Sequence, residues 1–299
     1  MSGPRRILVT GAAGRLGRAA LTLFADRLIP TTGLDLHDPG DTRAGRMVTG
    51  SAGDPTVVRD ALAGVDAVFH CAAIPAPTLG TPHEVFTTNT RATFTVLEEA
   101  AQQGVTRVVI ASSLSVTGLP WSPHPRTPAY LPIDEDMPLQ VADPYALSKQ
   151  TDEAVGAMMA RRHGMTVVAL RLPLLGGPGD QFDTYARYYA EHPEWGAKEL
   201  WAYLDTRDAA RAGLLALTAP VTGFHAVFVA APDTLSATDT EALLDEHLPG
   251  VPRRTRFTGR SVAIDTGRAT RLLGFTPEHL FPLSLPGQAP PPPHQEVSP

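Results

Sequence analysis

Residues 5–35 do most to limit what this chain can fold into. They begin Arg-Arg-Ile-Leu-Val-Thr-Gly-Ala-Ala-Gly-Arg-Leu-Gly-Arg and end Thr-Thr-Gly-Leu-Asp. The apolar run 7–9, closed by glycine, fits a buried strand. Residues 15–27 carry Leu16, Ala20, Leu23 and Phe24 at helical spacing. Strand, glycine turn, helix and a later carboxylate at Asp35 make the dinucleotide-binding arrangement. Each glycine has a physical task there. Gly11 allows the tight turn, Gly14 lets the backbone approach a pyrophosphate, and Gly17 lets helix and strand pack closely. The helix start, with Ala13, Arg15 and Leu16, offers free amides and a positive dipole end to phosphate.

The rest of the chain alternates strands and helices. Strands are expected at 29–35, 46–50, 65–71, 107–111 and 166–170. Helices are expected at 55–62, 83–103 and 144–163. This predicts an α/β fold, a doubly wound parallel (Rossmann) sheet with right-handed crossovers. Beyond Arg171 the alternation degrades. Pieces at 183–192 (helix), 200–204 (strand), 205–218 (helix), 224–230 (strand), 236–247 (helix) and 265–273 (helix) remain. The expected division is a nucleotide-binding domain over 1–171 and a mixed segment over 172–285, giving a small C-terminal substrate-binding lobe plus late sheet elements. A proline-rich tail over 286–299 is expected to be disordered. Residues 118–138, rich in proline and polar groups, are expected to form a long surface loop.

Composition excludes several classes. The net charge is −6, and neutralising nucleic-acid phosphates needs a basic face. The single cysteine, Cys71, permits no internal disulfide. No apolar run approaches a membrane span, and 7–9 is too short for a signal-peptide core. A cytoplasmic protein without nucleic-acid or membrane partners is expected. The ten histidines show no paired helical spacing, so no metal site is expected.

A second constellation lies at Tyr145-Ala-Leu-Ser-Lys149. Residues four apart share a helix face, so phenol and ammonium point the same way. Of 25 basic residues only Lys149 and Lys198 are lysines, so the pairing is unusual by chance. A free tyrosine has a pKa of about 10, and an adjacent ammonium favours the phenolate. Tyr145 could then exchange a proton with a substrate hydroxyl near neutral pH. Lys149 could also hold a ribose. Ser113, at the carboxyl end of a strand, would hydrogen-bond the same substrate oxygen.

With these residues in view, the chain resembles the extended short-chain dehydrogenase/reductase family, also called the NAD-dependent epimerase/dehydratase family. The resemblance rests on Thr10–Gly17, on the segment Ser112-Ser113-Leu-Ser-Val-Thr-Gly118 and on Tyr145-x-x-x-Lys149, and it covers roughly 5–275. It implies that Asp54 contacts adenine, that Cys71, Ala72 and Ala73 line the cofactor, and that Asn89 and Ser112 belong to the same site. It also implies that Arg171-Leu172-Pro173 passes the nicotinamide, and that the protein is a homodimer through its two long helices.

Asp35 ends its strand where a carboxylate would bind a ribose diol, which favours NAD over NADP. Arg15 and Arg43 are the residues able to reverse that preference. Nucleotide-sugar members usually carry an asparagine near Leu174 and Leu175, an arginine at the position of Trp201 and a tyrosine at that of Thr117. Their absence points to a small sugar-like or hydroxy/keto substrate. The expected function is an NAD-dependent oxidoreductase acting on a secondary alcohol or ketone. The alternative is a (nucleotide-)sugar epimerase or dehydratase that holds its NAD tightly. Phe182, Tyr185, Tyr188, Tyr189 and Trp195 are candidate pocket walls.

Overall fold

A computed structural model describes residues 4–177 and 179–283. The tail beyond Pro286, and Pro178, lie outside the described residues. Seven parallel strands form the main sheet: β1 (Ile7–Thr10), β2 (Thr31–Asp35), β3 (Arg46–Thr49), β4 (Ala67–His70), β5 (Arg107–Ser113), β6 (Thr166–Leu172) and β9 (Phe224–Phe228). Their order is β3-β2-β1-β4-β5-β6-β9. A second sheet pairs β7 (Leu174–Gly176) with β8 (Tyr203–Asp205). The helices are α1 (Arg15–Asp26), α2 (Pro55–Ala61), α3 (Pro82–Gln102), α4 (Pro144–His163), α5 (Gln181–Glu191), α6 (Pro193–Gly196), α7 (Thr206–Thr218), α8 (Thr240–His247) and α9 (Gly267–Leu273).

Strand alternation divides the core. Ile7 and Val9 face one side, with Phe69, Val109 and the inner faces of α1 and α7. Leu8, Val68, Val108 and Ile110 face the other, with Val58 of α2, Val96 of α3 and Met159 of α4. With both faces covered, the strands need no polar side, hence their near-continuous apolar sequences. Between β1 and β4 the connections diverge to opposite flanks. That switch point opens a crevice at the carboxyl ends of the strands. Register places Thr10 beside His70 and Ser113 beside Leu172, so these strand ends form the crevice's floor.

A third apolar cluster forms the lobe. It gathers Phe182 and Tyr189 of α5, Trp201, Leu243 and Leu244 of α8, and Ile264. Leu131, Ile133 and Met137 join it. The stretch 118–138 is therefore not simply a surface loop. Its backbone is pinned by lone bridges, Leu131 N–H donating to Pro252 O (2.8 Å) and Ile133 N–H to Ala263 O (3.0 Å). Among the described residues, no helix is long and apolar enough to cross a membrane.

Candidate active site

The glycine turn follows from two close approaches. Gly11 has φ +67°, and a Cβ there would stand 2.8 Å from the Ala72 backbone nitrogen. A Cβ on Gly17 would stand 2.0 Å from Gly11 O. Any side chain at either position would push α1 or the β4 end away from the turn.

Thr10 ties these strand ends together. Its Oγ1 accepts from the amides of Cys71 and Ala72, both at 3.2 Å, and lies 2.7 Å from His70 Nδ1. With two donors already on that oxygen, the hydroxyl proton goes to Nδ1. Nε2–H of His70 then donates to Thr93 Oγ1 at 3.1 Å. The ring is fully buried and neutral.

A cleft of about 920 Å3 lies over the strand ends. Gly11, Ala13, Gly14, Arg15, Leu16, Gly17 and Asp35 line one end of it, with Cys71, Ala72 and Ala73 beside them. Ser112, Ser113, Tyr145, Lys149, Leu172 and Pro173 line the middle. Asp35 Oδ2 accepts from Ala13 N–H (2.8 Å) and Oδ1 from Leu36 N–H (2.7 Å), which fixes the carboxylate at the mouth of β2. Arg43 is engaged by Asp26 at 2.5 Å, and Arg15 pairs with Asp180 of the lobe. The glycine cradle, the helix start and the fixed carboxylate fit an adenine dinucleotide with a free ribose diol.

Tyr145 and Lys149 sit where α4 begins. Asp143 caps the helix by accepting from Ala146 N–H (2.8 Å), and Pro144 fills its first position. Lys149 Nζ donates to Ala111 O at 2.9 Å and lies 3.4 Å from Asp152 Oδ2. Burial alone would push its ammonium down, but Asp152 and the Tyr145 phenol hold it above the ordinary lysine range. Its Nζ is 6.0 Å from the Tyr145 ring centre. Ser113 Oγ accepts from Ser115 N–H (3.0 Å), which leaves its own proton available to the cleft.

Beneath them, Arg171 and Glu153 form a buried bidentate pair at 3.0 and 2.8 Å. Ser112 Oγ donates to Glu153 Oε1 at 2.7 Å. Ser112 thus spends its hydroxyl on α4, and this network fastens α4 to the ends of β5 and β6.

Two of the expected cofactor contacts stand outside this lining. Asp54 does not line the cleft. It caps α2, accepting from Thr56 N–H (2.8 Å) and Val57 N–H (3.4 Å), while Gly50, Ser51 and Ala52 line the cleft in its place. Asn89 is fully buried behind the wall. It accepts from Ile74 N–H (2.7 Å) and donates to Ile74 O (3.1 Å) and Ser148 Oγ (3.0 Å). It shapes the lining through Ile74 and does not face the cleft.

Of the five aromatic candidates only Tyr185 lines the cleft. Phe182 and Tyr189 are buried in the lobe core, and Tyr188 and Trp195 face solvent. Trp201 is buried, its Nε1–H donating to Pro193 O at 3.0 Å. Gln181 and Glu199 line the cleft and were not legible from sequence. Both lie on lobe segments without a motif. Among the described residues no group of three or more His, Cys, Asp or Glu is placed to hold a metal.

Fold and cleft together define a doubly wound α/β protein whose glycine turn, Ser113, Tyr145 and Lys149 line one cleft. Comparison with known proteins places it further. Residues 7–231 match the model of the NAD dependent epimerase/dehydratase family. A UDP-glucose 4-epimerase of Azospirillum brasilense is 33% identical over 181 residues, covering 56% of this chain and 48% of that protein. The L-arabinose 1-dehydrogenase (NAD(P)(+)) of Haloferax volcanii is 32% identical over 180 residues, covering 56% of this chain and 66% of that protein. The chain thus spans about half to two thirds of the length of these relatives. The crystal structure of a short-chain dehydrogenase/reductase superfamily protein from Agrobacterium tumefaciens with bound NAD superposes with a TM-score of 0.69 at 28% identity, covering 92% of this chain and 93% of that one. The chain belongs to the NAD dependent epimerase/dehydratase family, the extended short-chain dehydrogenases.

Burial depresses the His70 imidazole to about 3, from an ordinary value near 6.5. An unfolded chain would bind this proton below about pH 6.5 while the folded chain would not. His70 therefore contributes stability that is intact above pH 6.5 and lost progressively as pH falls toward 3. The expected loss is on the order of 4 kcal/mol. Urea unfolding at stepped pH measures it. His70→Gln should remove most of that slope, and parallel curves for variant and wild type would contradict the assignment.

Proposed function

We propose that this protein is an NAD-dependent oxidoreductase that oxidises a secondary alcohol, or reduces the corresponding ketone, on a small sugar-like or hydroxy/keto substrate. One observation carries the reading: Tyr145 and Lys149 share a cleft with the glycine turn, Asp35 and Ser113. Bound NAD supplies a hydride acceptor at its nicotinamide. Ser113 donates a hydrogen bond to the substrate oxygen and orients it. Tyr145 takes the hydroxyl proton during oxidation and returns it during reduction. Lys149 stays charged, favours the phenolate of Tyr145 and holds the ribose. Asp35 accepts from the ribose diol and would repel a 2′-phosphate, so NAD is preferred over NADP. With Arg43 on Asp26 and Arg15 on Asp180, neither arginine is free to reverse this. The glycine turn, with Ala13, Leu16, Cys71, Ala72, Ala73, Leu172 and Pro173, forms the cofactor's walls.

The epimerase or dehydratase reading uses the same groups but regenerates the cofactor within each cycle. Trp201, buried in the lobe at the position where nucleotide-sugar members carry an arginine, disfavours its nucleotide-diphosphate-sugar form. Net NADH accumulation at 340 nm distinguishes the two. Tyr145→Phe is expected to lower turnover by at least about 100-fold while leaving NAD affinity within about threefold. Unchanged turnover in that variant would refute the assignment.

A homodimer belongs to the same proposal. Phe94 on α3 and Leu147 on α4 are 44% and 43% exposed, and α3 packs along α4. A pair of such faces would bury both side chains. Sedimentation should return twice the protomer mass; a single protomer mass at micromolar concentration would exclude the dimer.

A further inference from the structure

The lobe side of the cleft carries one charged side chain that the reaction above does not use. Glu199 lies on the 3-10 turn Ala197–Glu199, just before Trp201, and lines the cleft. From behind, Tyr189 donates its hydroxyl to Glu199 Oε2 at 2.8 Å. That is the one hydrogen bond of the carboxyl to any described residue. No lysine, arginine or histidine among them forms an ion pair with it. The neighbouring Lys198 lies over the Trp195 ring, 4.9 Å from its centre. Arg15, the cation at the same rim, is occupied by Asp180 and by Gln181, whose amide oxygen accepts from its Nη2 at 2.7 Å. Tyr185 lines the cleft with Glu199, and its hydroxyl makes no hydrogen bond within the described residues. Its ring packs edge-on against Tyr189, 5.7 Å between centres, so the three groups are mutually braced.

Such a carboxyl has a definite chemistry. Burial pushes Glu199 above the ordinary carboxylate range, and its other oxygen, Oε1, has no hydrogen bond to any described residue, so it is open to a substrate hydroxyl. Among the described residues no free cation stands beside it to pair with phosphate or carboxylate charge, so ligands that bring such charge to this wall are disfavoured. We propose that Glu199, with Tyr185, is the specificity-determining contact for a neutral, polyhydroxylated substrate of free-sugar type, and that this wall rejects nucleotide-diphosphate and phosphorylated sugars. The proposal rests on the oxidoreductase reading for which atom reacts, but its test reads binding separately.

The experiment titrates the NAD-loaded, full-length protein with four probes: L-arabinose, D-glucose, glucose 6-phosphate and UDP-glucose. Saturation-transfer NMR reads affinity, and NADH formation reads turnover. At least one free aldose should bind wild-type protein about tenfold or more tightly than either phosphorylated probe. Glu199→Leu should weaken aldose binding, and raise its KM, by about tenfold, with kcat within about threefold. Glu199→Gln, which keeps an acceptor for Tyr189 and both hydrogen-bonding senses, should stay within about threefold of wild type. Unchanged NAD affinity in each variant reports an intact fold. The proposal is overturned if UDP-glucose or glucose 6-phosphate binds tightest, if neither aldose binds, or if Glu199→Leu leaves aldose affinity unchanged. Those outcomes leave the role of Tyr145 standing, because Tyr145→Phe is scored on turnover. Loss of that role would in turn leave the aldose affinities as they are.

Discussion

A buried ammonium is the constraint around which this molecule is arranged. Taking a lysine head group out of water costs several kcal/mol unless its protons are matched. Lys149 meets that cost with Ala111 O, at the end of β5, and with Asp152 one turn along its own helix. Both partners are backbone or helix-borne, so the charge is fixed in position as well as compensated. What remains of its field points to Tyr145 and the cleft. Placing that charge requires α4 to start where it does, held by Asp143 and Pro144, and to stay clamped to the sheet by Glu153, Arg171 and Ser112. Removing one member of that buried pair would strand the other charge, at about 3 kcal/mol or more.

The opposite end of the cleft obeys steric constraints more than electrostatic ones. Gly11 and Gly17 permit contacts that no side chain allows, and Thr10 with His70 locks the β1 and β4 ends at that spacing. The lobe completes the enclosure. Its cluster draws on chain segments far apart in sequence, from Leu114 to Phe281, so its wall depends on long-range packing. The proposed cofactor chemistry thus sits on the locally specified part of the fold, and the proposed substrate contacts on the part assembled from distant pieces.

That division explains what could be read from sequence. The glycine turn, the strand periodicity and the Tyr145–Lys149 spacing are local signals, and α4 spans Pro144–His163 as its capping residues imply. Boundaries moved where a single residue intervened. β2 starts at Thr31 because Pro30 has no N–H to pair and Leu28 adopts φ +55°. α9 starts at Gly267 because the Asp265 side chain takes the Gly267 amide (2.7 Å). Asp54 gives one carboxylate oxygen to a helix cap, and Asn89 spends its amide on Ile74 and Ser148, roles that residue type alone does not announce. Leu131 and Ile133 read as loop residues because their backbone partners, Pro252 and Ala263, lie more than a hundred residues away. Glu199 carried no signal at all: a lone glutamate acquires meaning only when Tyr189 braces it against the cleft.

The claim on which the rest depends is that Lys149 supports both the cofactor and the phenol of Tyr145. Lys149→Met, which keeps the volume and removes the charge, tests it in one comparison of NAD affinity and turnover. The expected result is NAD binding weaker by about tenfold and turnover lower by at least about 100-fold, with the fold retained. A variant that binds NAD and turns over as wild type does would show that the buried ammonium is structural, and would contradict the account.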